Sequence, residues 1–270
     1  YAFVPPVTDQ RRFPPGERLT FGISLFGDTV QFLPYLVLAV NQMGRQQGLG
    51  RAIHPPVGDG SRIRRERSDR DERRWQRGTF RLVGITEHNP LSGEARSLLE
   101  EGATMVHMPM LPVTAAQVAA TADTMAARLR DGGALTVQFV TPTRIVQERE
   151  LVHQPQFAPL MARLLDRVGA LRCQYAGDPP LDTGVKARVL ALADRVELVQ
   201  DDTRWWDVHG HSSRLEREQP LGGFVGRAVY GADDPAVWLP LLPWLLWGQC
   251  TQVGKNTVKG CGVMEIAVSR

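Results

Sequence analysis

The pattern most suggestive of binding chemistry lies near the end of the chain, where residues 252–266 read QVGKNTVKGCGVMEI. The glycine loop, residues 252–262, combines glycines with lysines: Gly254, Lys255, Lys259, Gly260 and Gly262. Glycine lets a backbone approach a ligand closely because it lacks a Cβ, and ammonium groups attract anions. The loop therefore favours an anionic ligand. A nucleotide, a polynucleotide backbone and a plain turn are the three alternatives.

A free nucleotide is disfavoured because neither common phosphate-loop pattern fits. The Walker A pattern has four residues between its glycines, whereas Gly248 and Gly254 have five between them, and Asn256 occupies the Ser/Thr position. A helix is predicted before the loop and a strand after it, which is the reverse of a P-loop. The dinucleotide fingerprint lacks its following helix as well. A polynucleotide backbone remains the better fit, beside an ordinary helix-to-strand turn.

Histidines that could exchange protons occur at two places. Asp207, His209 and His211 alternate, so on a continuous strand they would project from one face, and His54 begins an arginine-rich loop. Three metal ligands on one strand would be cramped, and no further Cys or His lies close in sequence, so we predict no metal and no cofactor. A catalytic or RNA-contacting histidine and an ordinary sheet surface are the alternatives. The remaining histidines fall in connecting segments and are predicted to be structural or solvent-facing: His88, His107 and His153.

Arginine far outnumbers lysine in this chain, which carries a net charge of +3. Residues 62–77 hold eight arginines against four acids. Because the planar guanidinium suits phosphate and stacks on bases, this segment is interpreted as a basic flap on RNA that includes Arg64 and Arg65, or as a solvated loop. Arg214 and Arg227, which lie before or on predicted sheet strands, are further candidates for phosphate contact.

The first half of the chain has the pattern of a β-α-β unit. Periodicity predicts a strand over 19–27, then a helix, then a strand over about 79–85. Pro34 fits only in the first turn of that helix. Tyr35 on the same helix is predicted to lie in the core, with a role in acid–base chemistry as the alternative. This order is half of a ferredoxin-like βαββαβ unit, and we expect the partner half upstream of Tyr1.

The second half has a complete β-α-β-β-α-β order. Strands are predicted over 134–145, 197–212, 223–230 and 263–269, and helices over 157–171, 185–196 and 234–247. The apolar run 237–247 is shorter than the roughly 20 residues of a bilayer span, so we predict a buried core helix. The predicted fold is α+β, with tandem ferredoxin-like (RRM-like) domains. Residues 1–130 would form the first domain, truncated at its amino end and carrying the basic loop and a connecting helix, and residues 131–270 the second.

Composition narrows the class of protein. Hydrophobic residues make up 43% and charged residues 23% of the chain, which excludes disordered and membrane-embedded classes. The three cysteines have no CxxC spacing, which argues against a disulfide framework or a zinc site. The amino terminus does not have the pattern of a signal peptide. We therefore predict a cytoplasmic protein without a membrane partner.

Several short motifs in fixed order resemble the CRISPR precursor-RNA processing endoribonucleases, the sixth Cas family within the RAMP superfamily. In the second half they are LTVQFVTPTRI (135–145), HSSR (211–214), GGFVGRAVY (222–230), LLWGQ (245–249) and VGKNTVKGCG (253–262). LFGDTVQFLPYLVLAVNQMGRQQGLGR (25–51) is similar to the end of that family's first domain. Leu215 and Lys259 depart from the family pattern, which has a glutamine and an aromatic residue there.

The resemblance implies metal-independent RNA cleavage, in which a ribose 2′-hydroxyl attacks the adjacent phosphorus and a 5′-hydroxyl leaves. It implies RNA contact by the glycine loop and nearby arginines: Gly254, Lys255, Asn256, Thr257, Lys259, Gly260, Gly262, Arg214, Arg227, Arg64 and Arg65. His211, His209 and His54 are the catalytic candidates in this chain. The family's usual catalytic histidine is expected on an upstream helix, so we predict weak or no cleavage by this chain alone. CRISPR repeat RNA is the predicted partner, and a CRISPR effector complex and a homodimer stay open.

Two other functions remain as alternatives. A non-catalytic RAMP subunit that binds guide RNA in an effector complex would share the fold and the glycine loop but lack a histidine close to that loop. A ferredoxin-like protein-interaction module would make no phosphate contacts. Its affinity for RNA would therefore not depend on salt.

Overall fold

The computed structural model describes residues 1–8, 10–53, 76–212 and 217–269, and it describes only the backbone at residues 51–53, 76, 211, 212 and 217. The chain divides into two compact units. Unit 1 comprises Tyr1–Thr29, Asn89–Glu94 and Pro112–Arg270, and unit 2 comprises Val30–His88 and Ala95–Leu111. By compactness, therefore, the first 29 residues group with the second half of the chain.

In chain order the strands are β1 (Ala2–Val4), β2 (Gly22–Ser24), β3 (Leu49–Ile53), β4 (Gln76–Gly78), β5 (Ile85–His88), β6 (Ala95–Leu99), β7 (Ala134–Thr143), β8 (Ile145–Gln147), β9 (Glu150–Val152), β10 (Glu197–Trp206), β11 (His209–Ser212), β12 (Arg217–Pro220), β13 (Gly223–Gly231) and β14 (Met264–Ser269). The α-helices are α1 (Leu33–Gln46), α2 (Ala115–Arg130), α3 (Phe157–Tyr175), α4 (Thr183–Ala193) and α5 (Trp238–Thr251).

Unit 1 is built on a four-stranded antiparallel sheet in the order β10–β13–β7–β14. Along the chain its elements are β7, the helices α3 and α4, β10, β13, α5 and β14. The β-α-β-β-α-β order predicted for the second half is therefore confirmed. The glycine loop connects the end of α5 to β14, next to the central strand β7.

The core of unit 1 forms between this sheet and its helices. Phe139 of β7 and Phe224 of β13 meet edge to face with 4.8 Å between their ring centroids, a favourable aromatic geometry. Helix α5 contributes four leucines that are at most 1% exposed: Leu241, Leu242, Leu245 and Leu246. Burial of each leucine side chain contributes roughly 1.5–3 kcal/mol to the free energy of unfolding, compared with leaving it exposed. The predicted buried core helix is therefore confirmed. Within the described residues, no helix is long and apolar enough to cross a membrane.

Helix α2 packs into the same core. It begins with a capping box, in which the Gln117 N–H donates to Thr114 Oγ1 at 3.3 Å and the Thr114 N–H donates to Gln117 Oε1 at 2.9 Å. At its other end the Arg128 guanidinium donates to the carbonyl of Val268 on β14 at 2.7 Å. The connecting helix expected in residues 1–130 thus belongs to the compact unit of the central sheet.

The first residues of the chain form a separate two-stranded antiparallel sheet, β1–β2, within unit 1. The strand expected over 19–27 is therefore limited to Gly22–Ser24. It pairs with β1 and not with the second strand of the expected β-α-β half-sheet. The rings of Phe3 and Phe21, 5.4 Å apart, pack beside this pairing.

Unit 2 contains α1 and two further pairs of strands, β3–β4 and β5–β6. Pro34 lies in the first turn of α1, as predicted. The strand predicted over 79–85 is wrong, because most of that segment lies between β4 and β5. The physical reason is a tertiary contact: the Phe80 N–H donates to the Gly44 carbonyl at 3.1 Å, so the chain there crosses α1 and does not pair with a strand.

Tyr35 on α1 is not a core residue. It is 69% exposed and its ring lies 6.4 Å from that of Phe32, which is 51% exposed, and Leu38 on the same helix is 65% exposed. Residues three apart share one side of a helix. The periodic apolar positions of α1 therefore include a stripe that faces solvent, and the core prediction for Tyr35 is wrong.

Candidate nucleic-acid interface at the glycine loop

The glycine loop is closed at its base by its own backbone. The Val253 N–H donates to the Gly262 carbonyl at 3.0 Å, and the Gly262 N–H donates to the Pro142 carbonyl at 3.1 Å. Gly262 has φ 77°, and a Cβ there would lie 1.8 Å from the Val253 carbonyl oxygen. Only glycine fits this crossing, so one glycine of the motif is explained by backbone packing within the protein.

A second glycine brings the loop against the end of β7. Gly254 has φ 88°, and a Cβ there would lie 2.5 Å from the Arg144 carbonyl oxygen. The same carbonyl accepts the N–H of Lys255 at 2.9 Å. The motif alone predicts glycines that open the backbone to a ligand. At these two positions the backbone that comes close is the protein's own.

Most amides in the second half of the loop are also occupied. The N–H groups of Lys259 and Cys261 donate to the Asn256 carbonyl at 2.9 and 3.4 Å, and that of Gly260 donates to the Thr257 carbonyl at 3.0 Å. Asn256 adopts a left-handed conformation with φ 62° and ψ 27°, which asparagine tolerates. Thr257 is only 6% exposed. A ligand on this surface would therefore meet side chains before it meets backbone amides.

The side chains that remain available are the two lysines. The chain has three lysines, and Lys255 and Lys259 of the loop are both exposed. Lys186 on α4 is bound to the Asp166 carboxylate at 2.5 Å. Neither loop lysine forms an ion pair with a carboxylate within the described residues. The loop thus presents two ammonium groups that no carboxylate in the described part of the chain neutralises.

A hairpin flanks the loop on one side. Strands β11 and β12 pair antiparallel, with Gly210 opposite Gln219. The Gln219 Nε2 donates to Asn256 Oδ1 at 3.2 Å, and its Oε1 accepts from Lys259 Nζ. Cys261 of the loop also places its Sγ 3.7 Å from the Leu221 carbonyl that follows β12. Strand β12 and the residue after it therefore run along the loop.

The predicted histidine strand is interrupted. Strand β10 ends at Trp206 and β11 starts at His209, and between them the Asp207 carboxylate accepts from Trp205 Nε1 at 2.8 Å. Asp207 therefore does not continue one strand with the histidines, and that prediction is wrong. His209 is exposed and pairs with Pro220. Since neighbouring residues on a strand face opposite sides, His209 lies on the hairpin face opposite to Gln219.

The other predicted site residues are not brought to the loop by described contacts. Arg227 is exposed on β13 opposite Gln138 and Asp202. It lies four residues from the loop end of its strand, which is about 13 Å at 3.3 Å per residue. The backbone of His211 lies in β11 opposite Glu218, and its side chain is outside what the structure describes. His54, Arg64, Arg65 and Arg214 lie outside the described residues.

One cluster near the loop was missed by sequence reasoning. The Arg144 guanidinium lies 5.9 Å from the ring centroid of Trp205 and donates to the Gly222 carbonyl at 3.2 Å. The His153 ring lies 4.9 Å from the same Trp205 ring, and His153 is exposed. Its position between β9 and α3 suggested a connecting segment. The available signal was Arg144 itself, which lies in the motif LTVQFVTPTRI (135–145).

Two of the three cysteines, Cys250 and Cys261, are poorly suited to act as nucleophiles. Burial raises the pKa of the Cys250 thiol to about 11. Burial also raises the pKa of Cys261, although the charge of Lys259 acts in the opposite direction. Because the thiolate is the reactive form, both residues stay protonated near neutral pH. They are best described as small packing residues.

Two family models match this chain. The model of the CRISPR-associated endoribonuclease Cas6 matches residues 137–264. A second model, described as an N-terminal domain, matches residues 1–111. A search of curated protein sequences finds no match.

Solved structures with partial similarity carry Cas6 in their descriptions. Thermus thermophilus Cas6 is 19% identical with a TM-score of 0.40, over 53% of this chain and 57% of that one. A Cas6 product complex is 17% identical with a TM-score of 0.39, over 62% and 64%. A partial Cas6-RT-Cas1–Cas2 complex is 15% identical with a TM-score of 0.43, over 65% and 30%. The chain thus spans little more than half the length of the Thermus thermophilus protein.

The region matched by the first family model contains most of the central sheet, the β11–β12 hairpin and the complete glycine loop. Most of the motifs found in the second half of the chain lie in these elements. Residues 137–264 of this protein therefore match the family model of the CRISPR-associated endoribonuclease Cas6.

Proposed function

We propose that this protein binds CRISPR repeat RNA at the glycine loop and acts in the processing of precursor RNA into guide RNAs. One observation carries the proposal. Two of the three lysines in the chain lie exposed on one loop, within the region that matches the Cas6 family model, and neither is neutralised by a described carboxylate. A phosphodiester backbone is the partner whose charge suits such a loop.

The loop would bind phosphate through its ammonium groups. The amides of Lys255, Lys259 and Gly260 already donate within the protein, so Lys255 Nζ and Lys259 Nζ supply the contacts. The Asn256 side chain lies between them in sequence and is half-buried. Binding of this kind is electrostatic, and its free energy falls as salt rises, because the polynucleotide releases counterions when lysines replace them.

The proposed reaction is cleavage without a metal. A base removes the proton of a ribose 2′-hydroxyl, and the 2′-oxygen attacks the adjacent phosphorus. The bond from phosphorus to the 5′-oxygen breaks, and an acid protonates that oxygen. The products are a 2′,3′-cyclic phosphate and a 5′-hydroxyl, so atoms and charge balance without a co-reactant. Lysine would stabilise the charge that builds on the nonbridging oxygens.

Histidines are the candidates for base and acid, because their pKa lies near neutrality. His211, His209 and His54 are the candidates from the sequence. His153 is added here, because it is exposed beside Trp205, whose ring also lies close to the Arg144 guanidinium.

We further propose that residues 131–270 form a ferredoxin-like domain, in tandem with a second one to which part of residues 1–130 contributes. The β10–β13–β7–β14 order of the central sheet and its βαββαβ connectivity support the first part. An effector complex and a second copy of this chain are the further partners proposed.

The experiment is an incubation with labelled repeat RNA in excess EDTA, followed by analysis of the product ends. The variants H153A, H209A, H211A and H54A are compared with K255A. Cleavage in EDTA that leaves a 5′-hydroxyl, and that one histidine variant abolishes while binding persists, supports the proposal. Cleavage that EDTA stops would contradict the metal-independent reaction.

One observation favours a second candidate, a non-catalytic RNA-binding subunit. Among the described residues no histidine donates to or accepts from the glycine loop, and His209 lies on the far face of the hairpin from Gln219. In the same experiment on the natural full-length protein, tight salt-sensitive binding without a cut would support this candidate. Absence of salt-sensitive binding would exclude both and leave a protein-interaction module.

A further inference from the structure

Gln219 joins the β11–β12 hairpin to the glycine loop by two hydrogen bonds from one side chain. Its carbonyl oxygen accepts from the Lys259 ammonium, and its Nε2 donates to Asn256 Oδ1 at 3.2 Å. The amide is half-buried, and both of its polar atoms have a partner in the loop. Gln219 and Lys259 are 40 residues apart, so this contact is purely tertiary.

The partner of Lys259 is neutral, which preserves the charge of the ammonium group. Glu218, the adjacent residue on β12, is exposed and lies on the alternate face of the strand. The strand therefore directs an amide, not a carboxylate, towards Lys259. A glutamate at position 219 would form an ion pair there and cancel the charge that an anionic ligand needs.

The loop is also held on its other side. The Gln252 Nε2 donates to the Phe3 carbonyl at 2.7 Å, and a Cβ on Gly260 would lie 2.7 Å from Pro5 Cδ. Gln252 is 2% exposed. Its backbone has φ 63° and ψ 164°, a conformation that residues other than glycine rarely adopt. Strand β1 and the hairpin thus restrain the loop from two sides, which reduces the freedom of the backbone that carries Lys259.

We infer that Gln219 is a positioning residue that orients the Lys259 ammonium for a phosphodiester, so that hairpin and glycine loop form one phosphate-binding element. The inference rests on the proposed function of the loop. An ordered lysine binds with a smaller loss of side-chain entropy than a free one. Its contribution to affinity therefore depends on a residue that itself makes no contact with the RNA.

The first test needs no RNA. Native protein is treated with an amine-acylating reagent at constant pH, and labelling rates at the three lysines are measured by mass spectrometry. We expect labelling of Lys259 to be faster in Q219L than in wild type, because the Gln219 oxygen that engages the Lys259 Nζ is removed. It should be slower in Q219E, because an ion pair would hold the nitrogen more firmly. Lys255 and Lys186 serve as internal controls with unchanged rates. Equal Lys259 rates in all three proteins would overturn the inference.

The second test measures binding of labelled single-stranded polyuridylate as a function of salt. K259A should reduce the slope of log affinity against log salt by about 0.7, the value for one phosphate contact on a single strand. Q219E should reduce the slope similarly. Q219L should keep the slope and weaken binding roughly two- to tenfold, the cost of ordering one long side chain.

A double variant separates positioning from a general charge effect. In the K259A background, Q219E should have little further effect, because its target is gone. A full additional loss there would overturn the inference.

If K255A weakens binding but Q219E and Q219L bind as wild type does, the inference fails and the proposed function stands. If wild-type protein shows no salt-sensitive binding, both fail. Thermal melts of Q219L and Q219E check that the variants are folded.

Discussion

The backbone N–H of Lys255 donates to the carbonyl of Arg144 at 2.9 Å, and this bond ties the glycine loop to the end of the central strand β7. The Arg144 guanidinium continues the connection, because it donates to Gly222 at 3.2 Å and lies near the ring of Trp205. One arginine therefore joins the loop, the start of β13 and the end of β10. The lysines are presented by a structure that is anchored to the sheet.

Substitution of Gly254 should destabilise the protein more than its φ angle alone explains. In G254A the Cβ would lie 2.5 Å from the Arg144 carbonyl oxygen. The matched control is G132A, where φ is 90° and nothing lies within 4 Å of the added Cβ. We expect G132A to lose about 1–2 kcal/mol from left-handed backbone strain, and G254A to lose at least about 1 kcal/mol more. Urea denaturation measures the free energy of unfolding of both variants. Equal losses would show that the close approach to the Arg144 carbonyl does not contribute to the cost of G254A.

Lys255 should carry one phosphate contact. We expect K255A to reduce the salt slope of binding to single-stranded RNA by about 0.7, because one fewer counterion is released on binding. The control is K186A, because Lys186 of α4 forms an ion pair with Asp166 of α3. Fluorescence anisotropy over a salt series gives both slopes. A reduced slope in K186A, with an unchanged slope in K255A, would locate the RNA away from the glycine loop.

Tyr230 should contribute a buried hydrogen bond to stability. Its hydroxyl donates to the Pro155 carbonyl at 2.5 Å, and its side chain is fully buried. In Y230F this carbonyl loses its partner, which costs about 1–3 kcal/mol. Y35F is the control, since Tyr35 is 69% exposed. Chemical denaturation at neutral pH should show the loss in Y230F alone.

The same residue should make stability fall at alkaline pH. Burial, and after it the charge of Asp201, raise the pKa of Tyr230 above its ordinary value of 10. The unfolded chain releases this proton near pH 10 while the folded protein retains it. Stability is therefore complete below about pH 10 and decreases above it, by up to about 1.4 kcal/mol per pH unit. Y230F should show a shallower alkaline decrease than wild type, and identical slopes would contradict this assignment.

The three cysteines should differ in reactivity. Cys173 is exposed, whereas burial raises the pKa of Cys250 to about 11 and also raises that of Cys261. We expect a thiol reagent to modify one cysteine rapidly in the native protein and the other two only on unfolding. The C173S variant should lack the rapid phase. A rapid phase that persists in C173S would mean that Cys250 or Cys261 is accessible to the reagent.

Local patterns predicted the elements of the second half because those elements are decided by neighbours in sequence. The apolar run at 237–247 can only be a buried helix in a chain of this composition, and α5 is one. The strand predicted over 134–145 is observed as β7, and the order of helix, loop and strand was enough to exclude a P-loop. Local pattern was insufficient where an apolar stripe faces solvent, as at Tyr35. It was also insufficient where a contact across the chain ends a strand, as Gly44 does at Phe80.

The sequence by itself determined that two lysines stand on a glycine-rich connection between a helix and a strand. Only the tertiary structure decided what surrounds them. Gly254 and Gly262 approach the protein's own backbone, and Lys259 meets the amide of Gln219, 40 residues away. Such contacts depend on how the β11–β12 hairpin and the end of β7 are placed in space. Residues distant in sequence become neighbours only when the sheet brings their strands together, and no local periodicity records which atoms then meet.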